Sequence, residues 1–265
     1  MIPRSLLLLF AFFAPASASV PPSPSPKLPG QILDVTMDNY FFRAPATARP
    51  GLTTIRVHSP HDGHQLDVYR LDDGHSVSDL VNALASNAPT PWAKEMGGVG
   101  FPLKGGTVNA TYIFEAGQYA FICAVHVPMT NKRHYQLGMY TEVKVSGLRV
   151  PGSLPTPDIS VSETEYRWSF SKPITAGVHV LRVTNDGKAF HEMKILQMLP
   201  GHTVAEARAW KRGQPRVDVP YATVTVMAPG TSVLTTTDFP PGEYLLFCVP
   251  QVKHGMSQPL IVAKR

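Results

Sequence analysis

The chain has 265 residues, two of them cysteine, with 24 Lys and Arg against 19 Asp and Glu and a formal net charge of +5. So mild a charge, with no recognition motif behind it, argues against a nucleic-acid binder; the densest basic run, WKRGQPR at 210–216, reads as a solvated helix end. No glycine-rich phosphate loop, nucleophile elbow or zinc-hydrolase helix occurs, and no stretch after the first 18 residues resembles a membrane span.

Residues 1–18 read as an export signal: Arg4 gives a positive start, Leu6 to Phe13 an apolar core too short to cross a bilayer, and Ala16-Ser-Ala18 a small-residue cleavage site. A Pro/Ser-rich tether follows at 19–30, too poor in apolar residues to pack. The expectation is a periplasmic or secreted protein without a membrane span. About 235 residues remain, which suits two domains.

The remainder is strand-rich. TTIRVHS (53–59), HQLDVYRL (64–71), TVNATYIF (107–114), QYAFICAV (118–125) and YTEVKV (140–145) are dense in β-branched and aromatic residues. A second series follows: ISVSETEYRWSF (159–170), VHVLRVTN (178–185), HEMKILQML (191–199), TVTVMAP (223–229), TSVLTTTDF (231–239), YLLFCV (244–249) and PLIVAKR (259–265). One helix interrupts each series. Ser76 with Asp79 predicts a cap for SVSDLVNALAS, and Thr203 with Glu206 a cap for TVAEARAWKRG, ending at Gly213. Pro and Gly cluster in SGLRVPGSLPTPD (146–158) without apolar periodicity. The expectation is an all-β protein of two tandem Greek-key sandwiches, 31–147 and 158–265, joined by a linker at 148–157.

The two series carry one motif twice. FEAGQYAFIC (114–123) and FPPGEYLLFC (239–248) both fit F-x-x-G-x-Y-x-x-x-C, and their cysteines are the only two in the chain. An exported chain invites a Cys123–Cys248 disulfide, but each cysteine holds the same place in its own repeat, which fits a metal ligand better. His64 precedes Cys123 by 59 positions and His191 precedes Cys248 by 57, each after an Asp-Gly turn. A His, a Cys, a further His and a Met are what a trigonal His₂Cys copper site with a weak axial Met requires. After Cys123 the loop offers His126, Met129, His134 and Met139; His58 and His61 lie near His64. In the second series the loop is CVPQVKHGM.

On these motifs the chain resembles the cupredoxins, the plastocyanin and azurin family of blue copper proteins, over both halves. Small members end in Cys-x-x-His-x₄-Met, and cupredoxin domains of copper nitrite reductases have a longer loop that keeps His-x₄-Met. His134 to Met139 is His-x₄-Met, so the resemblance implies His64, Cys123, His134 and Met139 as copper ligands, with His126 the alternative second imidazole. In the second half Gln251 stands where the imidazole belongs, and the tentative set is His191, Cys248, His254 and Met256. The resemblance further implies an exported type 1 copper protein carrying single electrons between redox partner proteins, its potential tuned by Met139 and by Phe121 and Tyr119 nearby. The alternative is copper storage, delivery or resistance, with copper donors and acceptors as partners. A copper oxidoreductase has less support: there is no His-x-His pair, and Ile122 and Phe247, not His, precede the cysteines. No residue is assigned a catalytic role.

Overall fold

Alternation decides the layers. β1 (Gln31–Asp38) buries Leu33, Val35 and Met37 and turns Asp34 outward, the pattern of a strand with one face on a core. The computed structural model describes residues 27–263 apart from 103, 128 and 212, so the export signal and most of the tether lie outside it. The first half continues with β2 (Phe41–Arg43), β3 (Thr47–Ala48), β4 (Gly51–His58), β5 (Gln65–Leu71), α1 (Val77–Ala85), β6 (Ala93–Gly100), β7 (Thr107–Phe114), β8 (Gly117–Ile122), the short β9 (His126–Val127) and β10 (Lys132–Arg133), and β11 (Tyr140–Val145). The second comprises β12 (Ile159–Thr164), β13 (Arg167–Phe170), β14 (Gly177–Asn185), β15 (His191–Met198), α2 (Val204–Ala209), β16 (Asp218–Met227), β17 (Ser232–Phe239), β18 (Gly242–Phe247) and β19 (Ser257–Val262). Among the described residues no helix is long and apolar enough to cross a membrane.

Each half is a Greek-key sandwich with the same pairings. β1 lies parallel to β4 as β12 does to β14, and β5 sits between β6 and β8 as β15 sits between β16 and β18. The halves are not separate beads, however. The sheets run on through both, one in the order β13-β12-β14-β17-β7-β4-β1-β2 and the other β19-β18-β15-β16-β6-β5-β8-β11-β3. One hydrophobic cluster draws buried residues from both halves.

The joint pairs equivalent strands. Val99 faces its repeat equivalent Val224 between β6 and β16, and Thr111 faces Leu234 between β7 and β17, close to its own equivalent Thr236. The repeats therefore meet about a pseudo-twofold, as an isologous dimer does, and each closes two edges that would otherwise be open to pairing. Gly98 belongs to this joint: a Cβ there would lie 1.9 Å from the Leu66 carbonyl oxygen and 3.1 Å from Thr225 Oγ1.

The repeated motif has a structural meaning. Phe114 and Phe239 are fully buried, and each tyrosine hydroxyl returns to the backbone four residues upstream: Tyr119 donates to the Glu115 carbonyl at 3.1 Å and Tyr244 to that of Pro240 at 2.7 Å. These corners fix the entry of β8 and β18, and the strands deliver Cys123 and Cys248 at their far ends.

Both predicted capping boxes form. Asp79 N donates to Ser76 Oγ at 3.2 Å and Ser76 N to Asp79 Oδ2 at 2.8 Å; Thr203 and Glu206 do the same. The second helix stops at Ala209, short of the expected Gly213, because Trp210 turns extended and its Nε1 donates to the carbonyls of Gln214 and Pro215. The segment 159–170, read as one strand, is the hairpin β12–β13, reversed at Tyr166 with φ 73°.

Candidate metal centre

Sheet pairing builds the site. β5 and β8 are antiparallel neighbours, so His64, just before β5, and Cys123, just after β8, meet at one end of the first sandwich. The Gln65 amide donates to Cys123 Sγ at 3.5 Å. The loop after Cys123 folds back on itself: Cys123 N donates to the Met139 carbonyl (3.1 Å), Tyr135 N to that of Cys123 (2.9 Å) and Met139 N to that of His134 (3.0 Å). Gly138, at φ 104°, allows the turn that brings Met139 inward. α1 braces the loop from outside by packing Leu80 and Val81 in one cluster with Tyr135.

Three donor atoms converge. His64 Nδ1 lies 3.2 Å from His134 Nδ1, which lies 3.4 Å from Cys123 Sγ, and the donor atoms of all three residues fall within 4.8 Å of one another. His64 is 2% exposed, His134 8%, and Cys123 and Met139 not at all. His64 Nε2 lies 3.1 Å from Asn39 Oδ1, an acceptor, so the proton sits on Nε2 and Nδ1 points its lone pair inward.

The electrostatics favour a cation at the centre. Burial, reinforced by His64, pushes His134 down to about 4, and burial lowers His64 as well, so both rings are neutral at pH 7. Burial pushes the Cys123 thiol up to about 12, so it loses its proton only to a metal. Two imidazoles and one thiol, all uncharged and close together, with a buried methionine at the end of the same loop, suit a borderline-soft ion that takes N and S ligands, copper above others.

The other candidates lie elsewhere. His126 is exposed on the β9–β10 hairpin, its Nε2 2.9 Å from Asn131 Oδ1. Met129 is 95% exposed. His58 is exposed at the end of β4, and His61 pairs with Asp38 at 3.1 Å. Phe121 is buried in the core, but Tyr119 serves the opposite end of β8, where its hydroxyl meets Glu115. Sequence reasoning missed Asn39, Gln65 and Tyr40, whose ring meets that of His134 edge-on at 5.0 Å. One signal existed: Asn39-Tyr40 and Glu165-Tyr166 occupy matching turns, and both tyrosines take the positive φ rare outside glycine.

The loop itself simplifies. His134 N donates to the Val125 carbonyl at 2.9 Å, closing an eight-residue hairpin, 126–133. Without it the sequence reads Cys-x-x-His-x₄-Met, and His134 aligns with Gln251.

The second half repeats the frame with fewer donors. His191, Cys248 and Met256 are all fully buried, and Cys248 Sγ lies 3.9 Å from His191 Nδ1. Both cysteines are free, with no disulfide between them. Burial pushes Cys248 up to about 11. Among the described residues His191 Nε2 has no hydrogen-bond partner; Glu165 Oε1 lies 3.9 Å from it. The structure does not bring His254 to this group: a 3-10 turn, Val252–His254, leaves it exposed beside the Tyr166 ring, 5.5 Å away.

No family model matches the chain and no curated protein matches it. Among solved structures it is similar to reduced auracyanin from the photosynthetic bacterium Roseiflexus castenholzii, at 21% identity over 44% of this chain and 98% of that one, TM-score 0.29. Rusticyanin from Thiobacillus ferrooxidans matches at 20% identity over 44% and 79%, TM-score 0.28, and a Cu-containing nitrite reductase from Thermus scotoductus at 12% over 88% and 61%, TM-score 0.26. By its own sheet topology the chain is two tandem Greek-key sandwiches, each with a buried His, Cys and Met at the same end.

Proposed function

We propose that the first half binds one copper ion through His64, Cys123, His134 and Met139, and that the protein carries single electrons between redox partner proteins outside the cytoplasm. The observation that carries the reading is the convergence of two imidazole Nδ1 atoms and one thiol on a single buried point. Copper bound to this donor set cycles between Cu(I) and Cu(II). The chain's own residues do the rest. Asn39 holds His64 in the ligating tautomer, the Gln65 amide would stabilise a thiolate, and the Cys123–Met139 backbone bond ties the two ends of the loop together. A frame fixed beforehand changes little when charge changes, which favours rapid electron transfer. His134, the most exposed of the four, offers an exit through its ring edge beside Tyr40, itself 39% exposed. Absorption after Cu(II) addition tests the proposal: an intense thiolate-to-copper band is expected, and a colourless complex overturns it.

A copper-handling role is the second reading. It is favoured by the second half, whose buried His191 and Cys248 keep soft donors without a full redox ligand set.

A further inference from the structure

The metal-end loops of the two halves share the backbone bonds that close them on the methionine once the hairpin 126–133 is set aside. Met139 N donates to the His134 carbonyl at 3.0 Å, and Met256 N to that of Gln251 at 3.3 Å. Gly138 N donates to Tyr135 at 3.2 Å, and Gly255 N to Val252 at 3.0 Å, both glycines being left-handed with φ 104° and 83°. Tyr140 N and Ser257 N repeat the pattern on Gly138 and Gly255. Gln251 therefore holds the backbone position of the second imidazole, and His254 that of Leu137, outside the donor set.

What survives is one thiol, one thioether and one imidazole, from Cys248, Met256 and His191, each with no solvent exposure. Burying an imidazole and a thiol normally requires partners. Here His191 Nε2 has none among the described residues, and its Nδ1 lies 3.9 Å from Cys248 Sγ. Glu165 does not supply the missing bond: its carboxylate lies 3.9 Å from Nε2 and accepts from the amides of Lys188 and Ala189 instead. The ring leaves room only for glycine at 187, since a Cβ there would sit 2.7 Å from Nε2, and its Nδ1 is turned to the thiol.

Thiolate and thioether donors select Cu(I), whereas Cu(II) favours nitrogen and oxygen in tetragonal array. Resting on the copper reading of the first half, we propose that the second half is a Cu(I) site held by His191, Cys248 and Met256 that does not sustain Cu(II). Binding forms the Cu–S bond and releases the Cys248 proton to solvent, with no change of oxidation state. One half would then exchange electrons while the other stores the reduced ion.

The test uses the full-length Cys123→Ser variant, apo and anaerobic, titrated with Cu(I) supplied as its acetonitrile complex against a Cu(I) chelator. One equivalent of Cu(I) is expected, absent from the Cys123→Ser, Cys248→Ser double variant, and no thiolate band should follow Cu(II) addition. Adding Gln251→His to Cys123→Ser restores Cys-x-x-His-x₄-Met and should create that band. Should Cys248→Ser prevent folding, Met256→Leu in the Cys123→Ser background replaces it, with Cu(I) affinity falling at least about tenfold, a loss that even outer partners of a metal produce. No Cu(I) bound by Cys123→Ser, or a Cu(II) thiolate band without Gln251→His, overturns the proposal. The colour of Cys248→Ser reports on the first half alone, so failure of one reading is separable from failure of the other.

Discussion

The two halves agree in topology, in the tyrosine that starts the Cys strand and in the backbone bonds that close the loop after it, yet they differ at the side chains that face the site. His134 is matched by Gln251. Asn39, 3.1 Å from its histidine, is matched by Glu165, 3.9 Å from its own. Met37 is matched by Glu163, equally without exposure, whose carboxyl is pushed up to about 8 by burial; one oxygen accepts from Trp168 Nε1 at 2.8 Å and the other has no partner among the described residues. The scaffold that aims the ligands is thus separable from the chemistry they perform. The sheet joint maintains the first; three or four side chains decide the second.

The sharpest way to break the comparison is Cys123→Ser. It should remove the thiolate band entirely while the far-ultraviolet circular dichroism stays that of the wild type, since the swap is nearly isosteric. If the band persists, the redox copper lies in the second half and the asymmetry runs the other way. His134→Ala should likewise bleach the site or shift its band, whereas His126→Ala, on the exposed hairpin, should leave the spectrum alone. The opposite result would place the second imidazole on the hairpin.

Asn39→Ala probes the turn that the second half fills with Glu165. Loss of the bond that fixes the His64 tautomer should weaken copper binding by about 10- to 100-fold without abolishing colour. An unchanged affinity would mean that packing alone orients the ring.

The pH dependence follows from the Cys123 thiol. Burial pushes it up to about 12, pushes His134 down to about 4 and lowers His64, so between about pH 7 and 8 the metal-free site carries one removable proton, on sulfur. Copper uptake must release it, and affinity should therefore fall about tenfold for each pH unit lost in that window. Calorimetry in buffers of different ionisation enthalpy counts the proton; a release near zero would show that the thiolate forms before the metal arrives.

Most strands of both repeats, though not β1 to β3, and both capping boxes were legible in the sequence because each rests on local pattern, as was the spacing of His64, Cys123 and His134, which the fold brings together. β6 was not. Its Gly97-Gly98 breaks alternation, and the reason for those glycines is the close approach of β5 and β16 on either side, a contact between distant segments. The shared sheets were hidden for the same cause, since nothing local in Val99 or Thr111 announces Val224 or Leu234. The end of α2 was misplaced because the Trp210 indole, not Gly213, sets it. Asn39 escaped because a turn residue acts here on a histidine 25 positions away.

The mildest change concerns the hairpin that only the first half carries. Its ends, Val125 and His134, are already joined by a 2.9 Å hydrogen bond, so deleting 126–133 asks the chain to close a gap that is nearly closed. Deletion also removes the bond from Arg133 Nη1 to the Ala124 carbonyl, but leaves those that tie Tyr135 to Cys123 and Met139 to His134. Shortening a loop by a factor of about two changes closure entropy by only ~0.6 kcal/mol, and the second half holds the same turn without any hairpin. The shortened protein should fold, bind copper and keep its band, with a melting temperature within a few degrees of the parent. Loss of colour on deletion would instead make the hairpin the element that holds His134 in place, and the short loop of the second half would then explain its missing imidazole as more than a single substitution.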